Sequence, residues 1–169
     1  MRAEPEIREA RLDDAEEFVR AYEASWDASL ESVLGRSLGD LVAFEDRVAA
    51  FRDGLPTAGP EDRIWVAERG ERILGIATSR VEDGTGELRS LYIVPEEWGS
   101  GLAKTLQETA LAGMRALGAT KAFLWVVESN ARARRFYERE GYRRIENFGP
   151  YAGAPHSVCF ARSLLDWVA

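Results

Sequence analysis

Cysteine and histidine are nearly missing from this chain of 169 residues: each occurs once, as Cys159 and His156. One thiol cannot close an internal disulfide, so a reducing cytoplasm is the expected setting. No His/Cys/Asp grouping has metal-ligand spacing, and no metal is expected. Long apolar runs are also missing. None approaches the roughly 20 residues that span a bilayer, so no membrane contact is expected. The opening Met-Arg-Ala-Glu-Pro-Glu lacks the apolar stretch of a signal peptide. Positive charge is scarce: 22 Lys and Arg stand against 29 Asp and Glu, a net −7. That balance argues against general nucleic-acid binding. There is no internal repeat, low-complexity tract or long linker, and the length suits one domain over residues 1–169 with a sizeable core.

What is present is a change of period along the chain. Ile7 lies in a short extended stretch. Asp13 or Asp14 then precedes Ala15, Phe18, Val19 and Tyr22 at helical spacing, with Trp26 and Leu30 continuing the apolar face. Leu38, Leu41, Val42, Phe44, Val48 and Phe51 predict a second helix, stopped by Gly54 and Pro56. Three strands follow, Arg63 to Arg69, Arg72 to Val81 and Glu87 to Val94, joined by Gly70-Glu71 and Asp83-Gly84-Thr85-Gly86 as an antiparallel meander. Leu102, Leu106, Ala110, Met114 and Leu117 mark a third helix, ended by Gly118. Lys121 to Val127 is apolar on both faces, a central strand paired in parallel across the helical crossover. A last helix runs from Asn130 to Gly141, before strands at Tyr142 to Asn147 and Ser157 to Ser163. The expected fold class is α/β (α+β): a mixed sheet of six or seven strands flanked by about four helices.

The chemistry concentrates where the third strand meets the third helix, in Val94-Pro95-Glu96-Glu97-Trp98-Gly99-Ser100-Gly101-Leu102-Ala103-Lys104. A glycine-rich turn at a helix start offers unpaired N–H groups and the positive end of the helix dipole, an anion seat suited to phosphate. It is not a Walker loop, because the Gly-Lys-Ser/Thr ending is missing, nor does it have the three-glycine dinucleotide spacing. A bare Gly-x-Gly is also what an ordinary tight connection uses.

Context distinguishes the two. Ile7-Arg8-Glu9-Ala10 with Asp13-Asp14-Ala15, then Leu88-Arg89-Ser90-Leu91-Tyr92-Ile93-Val94-Pro95-Glu96 running into Gly99-Ser100-Gly101-Leu102-Ala103, then Glu128-Ser129-Asn130-Ala131-Arg132-Ala133-Arg134-Arg135-Phe136-Tyr137-Glu138-Arg139 through Gly141-Tyr142, together resemble the GNAT superfamily, the GCN5-related N-acetyltransferases. The resemblance covers most of the chain and is weakest from Trp26 to Asp62. It departs at Trp98, where the family signature often has Gln or Arg.

The resemblance implies acetyl-CoA as co-substrate, its diphosphate on the backbone of Gly99, Ser100, Gly101, Leu102 and Ala103, with Lys104 in reach. Its pantetheine arm would lie along Leu91, Tyr92 and Ile93 and be held by Asn130. The matching tyrosine, Tyr137, would protonate the leaving thiolate. Glu87 stands where the histone-acetylating branch carries its base, with Glu82, Asp83 and Glu128 as alternatives. Trp125 stands where the ribosomal-protein-acetylating branch has a glutamate. Each residue also has a plainer reading: Leu91 and Ile93 as core strand, Tyr137 as a core aromatic, Asn130 as an N-cap, Glu87 as a solvated glutamate. Cys159 reads as packing, and the arginines at 132, 134, 135, 139, 143 and 144 as mostly a solvated face from which one or two meet the CoA 3′-phosphate.

The expected activity is transfer of acetyl from acetyl-CoA to a primary amine of a small molecule or peptide, by direct attack in a ternary complex. The first two helices, their connection and the Asn147–His156 loop would line the acceptor side, with Trp26, Trp65, Phe148 and Tyr151 as candidates, each of which reads more simply as a core or surface aromatic. Net acidity suits a cationic acceptor. A homodimer is compatible with the resemblance. The alternative is a non-catalytic CoA-binding regulatory module.

Overall fold

The computed structural model describes residues 3–146 and 156–165. Its elements are β1 (Glu6–Glu9), α1 (Ala15–Trp26), α2 (Phe44–Gly54), β2 (Asp62–Arg69), β3 (Arg72–Glu82), β4 (Thr85–Ile93), α3 (Leu102–Ala116), β5 (Lys121–Val127), α4 (Ala131–Arg139), β6 (Arg143–Ile145) and β7 (Ser157–Ser163). The strands form one seven-stranded sheet in the order β1-β2-β3-β4-β5-β7-β6. Every pairing is antiparallel except β4 with β5. This is the mixed α/β sheet expected from the periodicities.

The helices take opposite faces, because successive strand residues do. Tyr92 meets Tyr22 of α1, with ring centroids 4.9 Å apart. Its neighbour Ile93 packs beside Leu106 of α3 at Gly75. Leu106, Ala110 and Met114 of α3 are fully buried against the sheet. The approach is close at Gly86, where an added Cβ would come within 2.5 Å of the Met114 sulfur. Glycine is therefore needed there to let the helix lie on the strand.

The second expected helix is two pieces. A short turn, Leu38–Leu41, is capped by Ser37, whose hydroxyl accepts from the Asp40 N–H at 3.1 Å. Val42 is then extended, with φ −146° and ψ 129°. β-branched residues favour that conformation, so one apolar rhythm runs through a break. Between α1 and this turn, Asp27–Glu31 winds as a wide π turn.

Asp14 does not cap α1 through its side chain. Its carboxylate accepts from the Arg8 guanidinium at 2.7 and 2.8 Å and from the Arg11 N–H at 2.7 Å. Arg8 also reaches Glu68 at 2.8 Å, tying β1, β2 and the entry of α1 together. Burial pushes the Asp14 carboxyl up, but these bonds outweigh it and hold it below the usual range. A depressed carboxyl contributes stability that is complete above its unfolded value of about 4 and disappears as pH falls through the folded value. Asp14→Asn is expected to lose about 2–3 kcal/mol at neutral pH. The gap from the parent, measured by urea unfolding, should close in acid; a gap that persists there would mean that charge is not the cause.

Candidate active site

β4 and β5 are paired at only three positions, Thr85 with Lys121, Gly86 with Ala122 and Glu87 with Phe123. Beyond Glu87 the strands part, leaving that edge of β4 without a strand partner. A β-bulge helps: Ser79 pairs with Leu88 and Thr78 with Ser90, so Arg89 is the extra residue that bends β4. The opening is a cleft of about 530 Å³. Its walls include Leu91, Tyr92 and Ile93 of β4, Trp125, Val126 and Val127 of β5, and Asn130, Phe136 and Tyr137 from α4 and its N-cap.

At one end sits the glycine-rich turn. Glu97 is buried and bound by Arg69 at 2.7 Å, which fixes the turn to the end of β2. Gly99 and Gly101 have φ of 82° and 92°, a region that only glycine enters without strain. Among the described residues, the N–H groups of Gly99, Gly101, Ala103 and Lys104 have no protein acceptor. Gly99, Gly101, Ala103 and Lys104 also line the cleft. These donors, at the start of a fifteen-residue helix, have the arrangement of a candidate anion seat. Ser100 and Leu102 differ from the expectation and are not part of the cleft wall. The Ser100 hydroxyl accepts from the Leu102 N–H at 3.2 Å, and the Leu102 side chain is buried in the core.

At the other wall, Tyr137 is 9% exposed and packs edge-on to Phe136 and Tyr142, with centroids 5.2 and 5.5 Å away. Among the described residues its hydroxyl has no hydrogen-bond partner. Burial pushes the phenol up, so it stays protonated and able to donate. Asn130 is the N-cap of α4: its Oδ1 accepts from the Ala133 N–H at 3.1 Å. Its amide N–H₂ remains available, so the cap and the cleft wall share one side chain.

Glu87 lies at the fork, outside the cleft wall, and accepts from Arg89 Nε at 3.2 Å. Arg89 itself lines the cleft. Cys159 is buried; burial and then the Glu87 charge push its thiol up, so it is held as an unreactive thiol. Trp26 is buried with Leu30 and Leu38 beside Tyr92 and Val127. Trp65 is corrected as an acceptor-side candidate: its indole lies against Gly113 of α3, on the opposite face of the sheet. Phe148, Tyr151 and residues 147–155 of the loop lie outside the described residues.

Two residues whose meeting the sequence does not show stand at the mouth. Trp98 Nε1 donates to the Ile93 carbonyl at 2.8 Å, and the Arg132 guanidinium lies 3.3 Å from the Trp98 ring centroid. In the sequence Trp98 stands out only as a departure from the family signature, and Arg132 only as one of six arginines on a mostly solvated face from which one or two meet the CoA 3′-phosphate. The available signal was position: one residue before Gly99 and two after Asn130.

The model of the Acetyltransferase (GNAT) family matches residues 15–142. This chain belongs to that family. GNAT relatives extend over nearly its whole length. An uncharacterized N-acetyltransferase of Archaeoglobus fulgidus is 30% identical over 151 residues, covering 85% of this chain and 97% of that protein. The IAA acetyltransferase of Azospirillum brasilense is 28% identical over 133 residues, covering 78% and 86%. Among solved structures, the PaiA N-acetyltransferase of Thermoplasma acidophilum, in complex with coenzyme A, superimposes with a TM-score of 0.75 over 95% of this chain and 99% of that one, at 18% identity. The GNAT fold expected from the sequence is thereby shown.

Proposed function

We propose that this protein transfers the acetyl group of acetyl-CoA to a primary amine of a small molecule or peptide, both bound at once. The observation that carries the reading is the parting of parallel strands β4 and β5 between four unpaired N–H donors and the Tyr137 hydroxyl. The diphosphate sits on the donors of Gly99, Gly101, Ala103 and Lys104. The pantetheine arm runs down the cleft along Leu91, Tyr92 and Ile93, past Asn130, and brings the thioester to Tyr137. The structural neighbour's complex with coenzyme A supports this choice of co-substrate.

The amine nitrogen attacks the thioester carbonyl carbon, and the carbonyl pair moves onto oxygen. Unpaired N–H groups along the free edge of β4 stabilise that oxyanion. The pair returns, the C–S bond breaks, and the thiolate takes the Tyr137 proton. The nitrogen's proton leaves to Glu87 through a water, since Glu87 stands behind Arg89. Cys159 takes no part.

The test is release of free CoA thiol from acetyl-CoA with pooled amines, amino acids and peptides. Acceptor-dependent release supports transfer. Coenzyme A binding by calorimetry with no release on any pool would favour the non-catalytic module. For the base, Glu87→Gln is expected to slow turnover about tenfold or more and shift the basic limb of the pH–rate profile. Intact rate with an unshifted limb would remove Glu87 from the reaction.

A further inference from the structure

The anion seat is poor in charge on its own wall. Lys104 is exposed and leans toward Glu108 at 3.9 Å. The nearby arginines Arg69 and Arg89 are engaged by Glu97 and Glu87. Arg132 is different: among the described residues it has no carboxylate partner, although the chain is acidic. Desolvation, with no carboxylate to oppose it, pushes its guanidinium down.

Arg132 reaches over from α4 and rests on the indole of Trp98, 3.3 Å from the ring centroid. The indole is itself held by its bond to the Ile93 carbonyl at 2.8 Å. Trp98 and Arg132 both line the main cleft, and both line a second cavity of about 250 Å³ beside Ala28, Ser29 and Val33. The stacked pair therefore spans the mouth, with the Gly99–Lys104 donors beneath one side of it.

We propose that Trp98 and Arg132 form a clasp that holds the CoA diphosphate from the wall opposite α3. This rests on the acetyl-CoA reading above and adds to it. A planar guanidinium presents several N–H donors to phosphate oxygens while its face stays on the aromatic ring. Trp98 thereby acts through Arg132. The backbone donors of α3 and the guanidinium of α4 then grip one anion from two sides. Arg132 stands five residues before Tyr137 on the same helix. Engaging the diphosphate therefore also fixes the helix that carries the proton donor; Arg132 is a binding residue and Trp98 a positioning one.

The test compares thioesters with the purified full chain. Arg132→Ala should raise KM for acetyl-CoA about tenfold or more, the loss of a charge-assisted bond to phosphate. KM for S-acetylpantetheine, which lacks the diphosphate, should not change. Acetyl-dephospho-CoA should suffer as acetyl-CoA does. Arg132→Lys should recover part of the loss, since the charge stays but the stack does not. Trp98→Ala should act in the same direction, and the double variant should be no worse than Arg132→Ala. The fluorescence change on titrating CoA to saturation should be smaller in both Trp98→Phe and Arg132→Ala than in the parent, Trp125 of the same cleft supplying the remainder. Equal losses with S-acetylpantetheine would show a merely structural role and overturn the clasp. A loss that vanishes with the dephospho thioester would move Arg132 to the 3′-phosphate and also overturn it. If the parent binds CoA and Arg132→Ala binds equally well, the clasp falls while the acetyl-CoA reading stands. If the parent binds no CoA, both fall.

Discussion

Tyr137→Phe should lower kcat about 100-fold and leave KM for acetyl-CoA near the parent value. The substitution removes one oxygen. The ring that packs edge-on between Phe136 and Tyr142 remains, so helix α4 and the cleft keep their shape. Burial raises this phenol above its ordinary value, which by itself weakens it as an acid. The same enclosure, however, raises the thiol that the thiolate becomes, because desolvation disfavours both anions. On the proposed mechanism the proton would therefore pass as the C–S bond breaks, both groups having been shifted in the same direction. The split between kcat and KM decides the matter. A loss in KM alone would make Tyr137 a wall of the cleft, and unchanged kcat would remove it as the proton donor.

The second large effect is expected at Gly101→Val. Gly101 sits at φ 92° as the N-cap of α3, in open space with nothing near an added Cβ. Sterics with neighbours are therefore not the issue; the backbone angle is. A β-branched residue there costs about 1–3 kcal/mol if the angle is kept. If the turn relaxes, the N–H groups of Gly99, Gly101, Ala103 and Lys104 no longer converge. A kept angle would lower stability, whereas the expected relaxation of the turn should raise KM for acetyl-CoA on the order of tenfold to 100-fold, about 1.4 kcal/mol for each factor of ten. Calorimetry with CoA would check it, and unaltered affinity would show that the seat does not depend on this turn.

The fold was largely legible in the sequence because its punctuation is strong. Asp83-Gly84 and Gly118 mark the ends of elements, and the α3 face repeats at Leu102, Leu106, Ala110 and Met114. The antiparallel meander and the one parallel crossover followed from those marks. The helical break at Val42 was not legible, since apolar spacing alone cannot report a local φ and ψ. Trp65 kept two readings, core aromatic or acceptor wall, for a related reason: a strand residue's face depends on register, and the pairing with Ala77 decides for the core. The backbone seat was readable from Gly99 and Gly101. The stack of Arg132 on Trp98 was not, because it joins residues 34 positions apart whose meeting depends on how far β4 and β5 spread.

That spread has a mechanical consequence. In its strand ladder the sheet is two leaves, β1 to β4 and β5 to β7, joined by a seam of three residue pairs, with the shared core under α3 holding them on one face. Any molecule lodged in the notch touches both leaves and acts as a splint across that seam. The chain's resistance to heat is then tied, through mass action, to how much of that molecule the surroundings supply.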